Sequence, residues 1–224
     1  MRHRVAAVVA VLLLASAAWA VDQVLVEDWT KQAVGHKGIP EGWKAQNWGS
    51  PKYDNLVIVE NSGKKVLHLK SQDDSTTINK DIKGKVSLKE TPILEWTWKS
   101  VMLPRGANSC VSATDDQAGQ IFVTWPRFPE AVRSRIIGYV WDTTQPVGTI
   151  CKSEKTGMIT YVVVRSGLAD LGKWVTERRN VVEDFRKIYG DAPDDPGAVS
   201  VSIDSNDTHS TSEAMMGTIL FRKP

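Results

Sequence analysis

The chain has 224 residues and carries 28 Lys and Arg against 26 Asp and Glu, a formal charge of +2 at pH 7. Two of the arginines fall within the first 20 residues, so the remainder of the chain is neutral, with 26 basic and 26 acidic side chains. Affinity for phosphate backbones comes from clustered Lys and Arg, so this balance removes the support for a polyanion-binding role, and we expect no nucleic-acid partner.

The start of the chain has the pattern of a secretory signal peptide over residues 1–20. Arg2 and Arg4 give it a positive end, residues 5–15 form an apolar run, and the segment closes with the small-x-small pattern that signal peptidase cleaves. We therefore expect the mature protein to begin at Val21 and to be periplasmic or secreted. The apolar run is too short for a permanent membrane helix, and no later stretch approaches the roughly 20 apolar residues required, so no membrane span is expected.

The rest of the chain alternates short β-rich runs with turn residues, which is the pattern of an all-β protein. Because no Pro-, Gly- or Ser-rich linker interrupts it, we expect a single β-sandwich domain over residues 21–224. The predicted strands lie at residues 24–29, 56–60, 66–70, 76–82, 93–100, 121–125, 136–141, 159–165, 198–203 and 217–222.

The strand predicted at residues 93–100 shows which of its faces is buried. Leu94, Trp96 and Trp98 lie on one side, and polar side chains lie on the other. Large apolar side chains opposite a polar face usually point inward, so we expect these three residues in the core.

One amphipathic helix is predicted at about residues 177–189. Val181, Phe185 and Ile188 follow the i, i+4, i+7 spacing of a helix with one apolar face, and Gly190 supplies a C-terminal stop. This helix is expected to lie across one end or edge of the sandwich.

Charged side chains of this helix are expected to fasten it to the sheet. Arg178 or Arg179 is placed to reach Asp184 or Asp204. A structural ion-pair network is therefore the first interpretation of these residues.

The two cysteines, Cys110 and Cys151, would both meet an oxidising compartment after export. A disulfide between them is expected, and it would close a loop of about 40 residues. The alternative is that each is a small buried hydrophobic side chain.

Six local patterns lie along the chain: Trp-x-Trp-Lys at 96–99, the Asp-Asp segment at 115–123, Tyr-Val-Trp at 139–141, Arg-Ser-Gly at 165–167, a Trp-x-x-Glu-Arg-Arg-Asn stretch at 174–186, and the turn at 204–208. Together they resemble the bacterial family known as domain of unknown function 3047. The resemblance implies an exported, jelly-roll-like β-sandwich akin to carbohydrate-binding modules, and it implies no established reaction. Where the family reads Asp-Ser-Asp-Asn-Thr, this chain has Asp-Ser-Asn-Asp-Thr, so Asn206 and Asp207 are exchanged.

Aromatic side chains suggest a sugar-binding function, because exposed indoles form platforms for the C–H faces of pyranose rings. The loop residues Trp43, Trp48 and Trp125 are the first candidates for ligand binding. Tyr139 and Trp141 alternate along one strand and could line a concave face. For the three loop residues the alternative is a loop anchor folded onto the sandwich, since a large aromatic side chain gains more by burial than by exposure, and for Tyr139 and Trp141 it is core packing.

The turn at residues 204–208 is rich in carboxylate and amide oxygens. Asp204, Asn206 and Asp207 suit a sugar hydroxyl or a calcium ion, although Asp and Asn also occupy turns because they bond their own backbone. The loop lacks the Gly and distal Glu of an EF-hand, and the histidines have no metal-ligand spacing. We expect no catalytic metal and no cofactor, with a structural calcium left open.

The leading interpretation is a non-catalytic, exported β-sandwich that binds a carbohydrate or another cell-envelope ligand. A glycan hydrolase is the alternative, since that chemistry needs two carboxyls at a suitable separation. A purely structural envelope protein is the third hypothesis. The carboxyls available to a hydrolase are Asp115, Asp116, Glu177, Asp184 and Asp204.

Overall fold

The computed structural model describes residues 22–46, 48–49 and 51–224, so the predicted signal peptide lies outside the described residues. Within them, 13 strands and two α-helices are present. In chain order they are β1 (Gln23–Glu27), β2 (Lys44–Gln46), β3 (Leu56–Asn61), β4 (Lys64–Gln72), β5 (Ser75–Asp81), β6 (Ile93–Met102), β7 (Gln120–Trp125), α1 (Glu130–Arg133), β8 (Arg135–Asp142), β9 (Ile150–Lys152), β10 (Ile159–Ser166), β11 (Val175–Asn180), α2 (Val181–Tyr189), β12 (Ala198–Asp204) and β13 (Thr211–Arg222).

The strands form two sheets, which confirms the predicted β-sandwich. The first sheet has the order β11-β6-β13-β4-β3, with β1 also paired to β13. The second has the order β2-β5-β12-β7-β8-β10-β9. The paired neighbours are antiparallel except β8 and β10, which run parallel. All ten predicted strands are present, and β2, β9 and β11 are additional to them.

The core lies between the sheets and is rich in aromatic rings. Trp96 and Trp98 of β6 are 0% and 1% exposed, which confirms the burial expected from their alternation. The Trp96 ring lies 5.4 Å from the ring of Tyr139, and the Trp98 ring lies 5.8 Å from that of Trp141. Both partners belong to β8, so these contacts join the two sheets.

Helix α2 is shorter than predicted. It begins at Val181 instead of residue 177, because the preceding residues extend β11 and Glu177 pairs with Trp96 of β6. The side chain of Asn180 accepts hydrogen bonds from the first turn, as a helix N-cap does. At the other end Gly190 adopts the left-handed conformation, with a φ of 81°, that glycine tolerates best.

The expected ion pair between α2 and the sandwich is present. Arg179 of β11 donates from Nε to Asp184 Oδ2 at 2.9 Å, and the Tyr139 hydroxyl donates to the same oxygen at 2.9 Å. Arg178 instead pairs with Glu95 of β6. One buried carboxylate therefore joins a helix, an edge strand of the first sheet and a central strand of the second.

Cys110 and Cys151 form the expected disulfide, with their Cα atoms 5.6 Å apart and a sequence separation of 41. The bond fastens the loop before β7 to the edge strand β9. In the part of the chain that the structure describes, no helix has the length and apolar character needed to cross a bilayer.

Candidate functional site

The outer face of the second sheet carries a groove that follows β12 from Ala198 to Asp204. It consists of two adjoining depressions, of about 560 and about 370 Å³, which share Trp48 and Met158. Its floor is formed by outward-facing side chains, which alternate along each strand with side chains that face the core. We name it the second-sheet groove, and its main lining residues are Trp48, Thr77, Asn79, Asp115, Gln120, Phe122, Met158, Tyr161, Ser200, Ser202, Asp204 and Asn206.

A glycine makes room for the aromatic part of this floor. Gly138 lies opposite Phe122 on one side and Tyr161 on the other. A Cβ atom at position 138 would lie 2.8 Å from the Phe122 ring and 3.0 Å from the Tyr161 ring, so no larger residue fits. Half-buried Trp48 packs edge-on against Phe122, with ring centroids 6.2 Å apart. The indole thereby stands at the middle of the groove.

Asp115 lies at the end of the groove beyond Trp48 and is 3% exposed. Its carboxylate accepts hydrogen bonds from Gln117 Nε2 at 2.7 Å, and from the hydroxyls of Ser153 and Tyr161 at 3.3 Å each. Burial raises the pKa of Asp115 to about 6, because desolvation outweighs the stabilising effect of these donors. This carboxyl is therefore still partly protonated at pH 6.

Asp204 is the second carboxyl at this end of the groove. Its Oδ1 accepts from the backbone N–H of Gln117 at 2.5 Å and from Gln120 Nε2 at 2.8 Å. Burial, together with the charges of Asp116 and Asp115, raises the pKa of Asp204 well above its ordinary value. Two carboxyls that resist ionisation thus line one wall.

The rest of the predicted oxygen-rich turn is held by a neighbouring loop. The carboxylate of Asp116 accepts from the backbone N–H groups of Asp207 at 3.1 Å and Thr208 at 2.7 Å. The Asp207 side chain is paired with Lys155, whereas Asn206 lines the groove. The turn therefore presents Asp204 and Asn206 to the groove, and Asp207 serves to fasten it.

Two of the three residues proposed as calcium ligands, Asp204 and Asp207, are engaged by protein donors. Across residues 22–46, 48–49 and 51–224, no group of three or more His, Cys, Asp or Glu side chains is placed to hold a metal ion.

Two of the aromatic side chains predicted as loop platforms are buried: Trp43 anchors its loop, and Trp125 is the last residue of β7. Trp43 is 5% exposed, stacks on Trp29 with centroids 5.5 Å apart, and donates from Nε1 to Glu27 Oε2 at 2.9 Å. Trp125 is fully buried and donates from Nε1 to the backbone carbonyl of Asp194 at 2.8 Å. Their polar edges find partners within the protein, so burial satisfies the whole side chain.

Tyr139 and Trp141 also face the core instead of a ligand, and both are fully buried. Side chains alternate along a strand, and both residues lie on the inward face of β8. Of the five aromatic candidates, Trp48 is the one placed in the second-sheet groove.

The five candidate carboxyls separate in space. Asp115 and Asp204 line the same groove, whereas the Asp116 carboxylate accepts hydrogen bonds from the turn at residues 204–208. Glu177 and Asp184 belong to ion pairs of β11 and α2. The structure therefore leaves one carboxyl pair available for chemistry in the groove.

Other lining residues had no motif to reveal them. Tyr161 hydrogen-bonds Asp115, Gln120 hydrogen-bonds Asp204, and Gly138 provides the space between two rings. Alternation along β10 does predict that Tyr161 faces away from the core between the sheets, and this pattern could have identified it.

The family model described as protein of unknown function, DUF3047, matches residues 41–220, and the chain belongs to this family. The match confirms the resemblance seen in the sequence. No curated protein sequence matches the chain significantly.

Solved structures with a similar fold share little sequence with this chain. The family 30 carbohydrate-binding module of a cellulosomal cellulase of Clostridium thermocellum is 13% identical, over 90% of this chain and 97% of that one, with a TM-score of 0.45. The mannan-recognising module TmCBM27 is 11% identical over 91% and 100%, with a TM-score of 0.41. The K2 adhesin domain of Lys-gingipain is 10% identical over 90% and 98%, also at 0.41. These likenesses are too distant to bear on ligand or activity.

Proposed function

We propose that this protein binds a carbohydrate chain in the second-sheet groove. The observation that carries the proposal is the position of Trp48, a half-buried indole over Phe122 at the middle of the groove. An aromatic ring supplies an apolar face on which a pyranose can stack. The depressions on either side of Trp48 provide room for neighbouring sugar units.

The polar floor of the groove suits sugar hydroxyls. Thr77 and Ser202 lie side by side, with their hydroxyl oxygens 2.6 Å apart, and Gln120 is the next residue in the same row of the sheet. Asp115 and Asp204 add acceptors at one end. Hydroxyl, amide and carboxyl groups can both donate to and accept from a saccharide, and this supports recognition of a largely neutral chain.

The groove also supports a second candidate, hydrolysis of the bound glycan. A retaining or inverting glycosidase needs two carboxyls, one of them protonated near neutral pH. Asp115, with its pKa of about 6, fits the acid, and Asp204 is the other carboxyl of the same wall. We rank binding first, since the pKa of Asp204 is raised as well, whereas a nucleophile or base is ionised.

Export belongs to the same proposal. The Cys110–Cys151 disulfide is consistent with an oxidising compartment outside the cytoplasm. A glycan ligand would be met there, in the periplasm or beyond the cell.

A glycan array followed by titration calorimetry on the best ligand tests the function. Trp48→Ala is expected to weaken binding about tenfold or more while leaving the melting temperature nearly unchanged. Trp125→Ala is the matched control, because its buried ring supports the core and its loss should lower stability by about 3–5 kcal/mol.

The other outcomes are also informative. New reducing ends released by wild-type protein, and lost in Asp115→Asn, would assign hydrolysis to the groove. If no glycan on a broad array binds, including peptidoglycan and exopolysaccharide fragments, the proposal fails and a structural envelope role takes its place.

A further inference from the structure

A second groove, of about 800 Å³, lies on the outer face of the first sheet, opposite the second-sheet groove. It forms where β13 changes partner. β13 pairs with β4 as far as Met216, and with β1 from Ile219 onward. The two residues between them, Gly217 and Thr218, line the opening together with the tip of the β3–β4 hairpin. We name it the first-sheet groove.

A β-bulge shapes this groove. Met216 and Ile219 pair with Trp98 and Trp96, so two residues of β13 face the single residue Thr97 of β6. A side chain at position 217 would collide with the Thr97 hydroxyl, and the Gly217 carbonyl accepts a hydrogen bond from Trp29 Nε1 at 2.8 Å. Bulges are frequent next to binding sites, where they re-aim side chains.

Trp174 forms one wall of the groove and is held in place. Its Nε1 donates to Asn61 Oδ1 at 2.8 Å, and Lys99 Nζ donates to the same oxygen at 3.0 Å. Lys99 also lies over the indole, 5.4 Å from its centroid. The ring is half-buried, so it presents a fixed aromatic surface comparable to that of Trp48.

The charges around Trp174 favour an anionic group. Lys64 lines the groove and is exposed, and within the described residues its ammonium makes no hydrogen bond or ion pair. Lys99 is hydrogen-bonded to Asn61, which is the cross-strand neighbour of Lys64 in the hairpin. Two acids also line the groove: Asp28 accepts a hydrogen bond from the Thr30 hydroxyl at 2.6 Å and remains ionised, and Glu60 lies one position from Asn61, so its side chain alternates to the other face of the hairpin from Asn61 and Lys64.

We propose that the first-sheet groove is a second carbohydrate site, which takes an acidic saccharide unit such as a uronic acid. The sugar ring stacks on Trp174, and its carboxylate is bound by the ammonium groups of Lys64 and Lys99. Hydroxyls of Thr97 and Thr218 lie at the floor for the remaining contacts. The site is separate from the one proposed above, because it lies on the opposite sheet.

Titration calorimetry with an oligogalacturonate, at low and at high salt, tests this proposal. Trp174→Ala is expected to weaken binding about tenfold or more, and Lys64→Gln to weaken it severalfold and to reduce its salt dependence. Lys89→Gln, which changes an exposed lysine elsewhere, should leave binding unchanged. Because Lys64 is exposed, its variant keeps the test valid if Trp174→Ala folds poorly.

The same titration of Trp48→Ala distinguishes the two sites. Retained oligogalacturonate binding in that variant supports the first-sheet groove as an independent site. Loss of uronate binding in Trp48→Ala, or wild-type affinity in both Trp174→Ala and Lys64→Gln, overturns the inference. If wild-type protein binds neutral glycans but no uronate, the inference fails while the proposed function stands.

Discussion

Asp115 illustrates how a single residue acquires its chemistry from distant parts of the chain. Its carboxyl is hydrogen-bonded by Gln117 nearby, by Ser153 next to β9, and by Tyr161 of β10. These donors stabilise the ionised form, yet removal from water opposes ionisation more strongly and leaves the pKa at about 6. The charge of the groove consequently changes across the pH range in which most proteins work.

The first prediction concerns the pH dependence of stability. The folded pKa of Asp115, about 6, lies above its ordinary value of 3.8, so between these pH values the folded state binds more protons than the unfolded state. The contribution of Asp115 to the free energy of unfolding is fully present below pH 4 and is lost as the pH rises through 6. The loss is ~3 kcal/mol, at 1.36 kcal/mol per pKa unit.

Urea unfolding of wild-type protein and Asp115→Asn at pH 4 and pH 7 measures this effect. The side chain of the variant does not titrate. Its free energy of unfolding should therefore rise relative to that of wild type by a few kcal/mol from pH 4 to pH 7. Asp54→Asn, at an exposed carboxyl, serves as the control. Parallel pH profiles for wild type and Asp115→Asn would contradict the assignment.

At the scale of elements, the position of α2 depends on one buried carboxylate. Asp184 is 5% exposed and receives hydrogen bonds from Arg179 of β11 and Tyr139 of β8. Val181 and Phe185 bury the apolar face of the helix against the same core. The helix is therefore held by packing and by a polar junction between the sheets.

Asp184→Ala is expected to lower the free energy of unfolding by about 2 kcal/mol. It leaves the Tyr139 hydroxyl and the Arg179 guanidinium without their partner. The effect is smaller than for a fully buried pair, because the Arg179 side chain is 36% exposed and keeps contact with water. Lys187→Ala on the exposed face is the control, and equal urea midpoints for the two variants would refute the structural role.

At the scale of the whole molecule, the disulfide joins the loop that carries Asp115 to the far edge of the second sheet. Cys151 of β9 lies opposite Tyr161 of β10, whose hydroxyl bonds Asp115. Cys110 lies five residues before Asp115 in the sequence. The same bond thus restrains the unfolded chain and holds the acidic end of the second-sheet groove.

Replacing both cysteines, Cys110→Ser with Cys151→Ser, should cost about 2–5 kcal/mol of stability, as expected for a native disulfide that closes a loop of this length. Glycan affinity should fall as well, since the loop bearing Asp115 loses its covalent attachment. Urea unfolding and calorimetry measure the two effects, and alkylation with intact-mass analysis checks the wild type. Two alkylatable thiols in unreduced, exported protein would rule the bond out.

Local patterns in the sequence determined the strands, the inward face of β6 and the pair of cysteines. Alternation along a strand reports burial without knowledge of the partner strand, so Trp96 and Trp98 were predicted correctly. The start of α2 was predicted wrongly. The residues before Val181 form a strand because they pair with residues of β6 that lie 77 to 87 positions earlier in the sequence.

Only the tertiary structure decided which aromatic and acidic residues form a site. Trp43 and Trp48 look alike as loop residues, yet Trp43 stacks on Trp29 in the core and Trp48 lies over a groove. Asp115 and Asp204 meet because β12 pairs with β7 and brings two distant segments together. Strand register and the burial of each ring depend on contacts between remote parts of the chain, and no local pattern contains them.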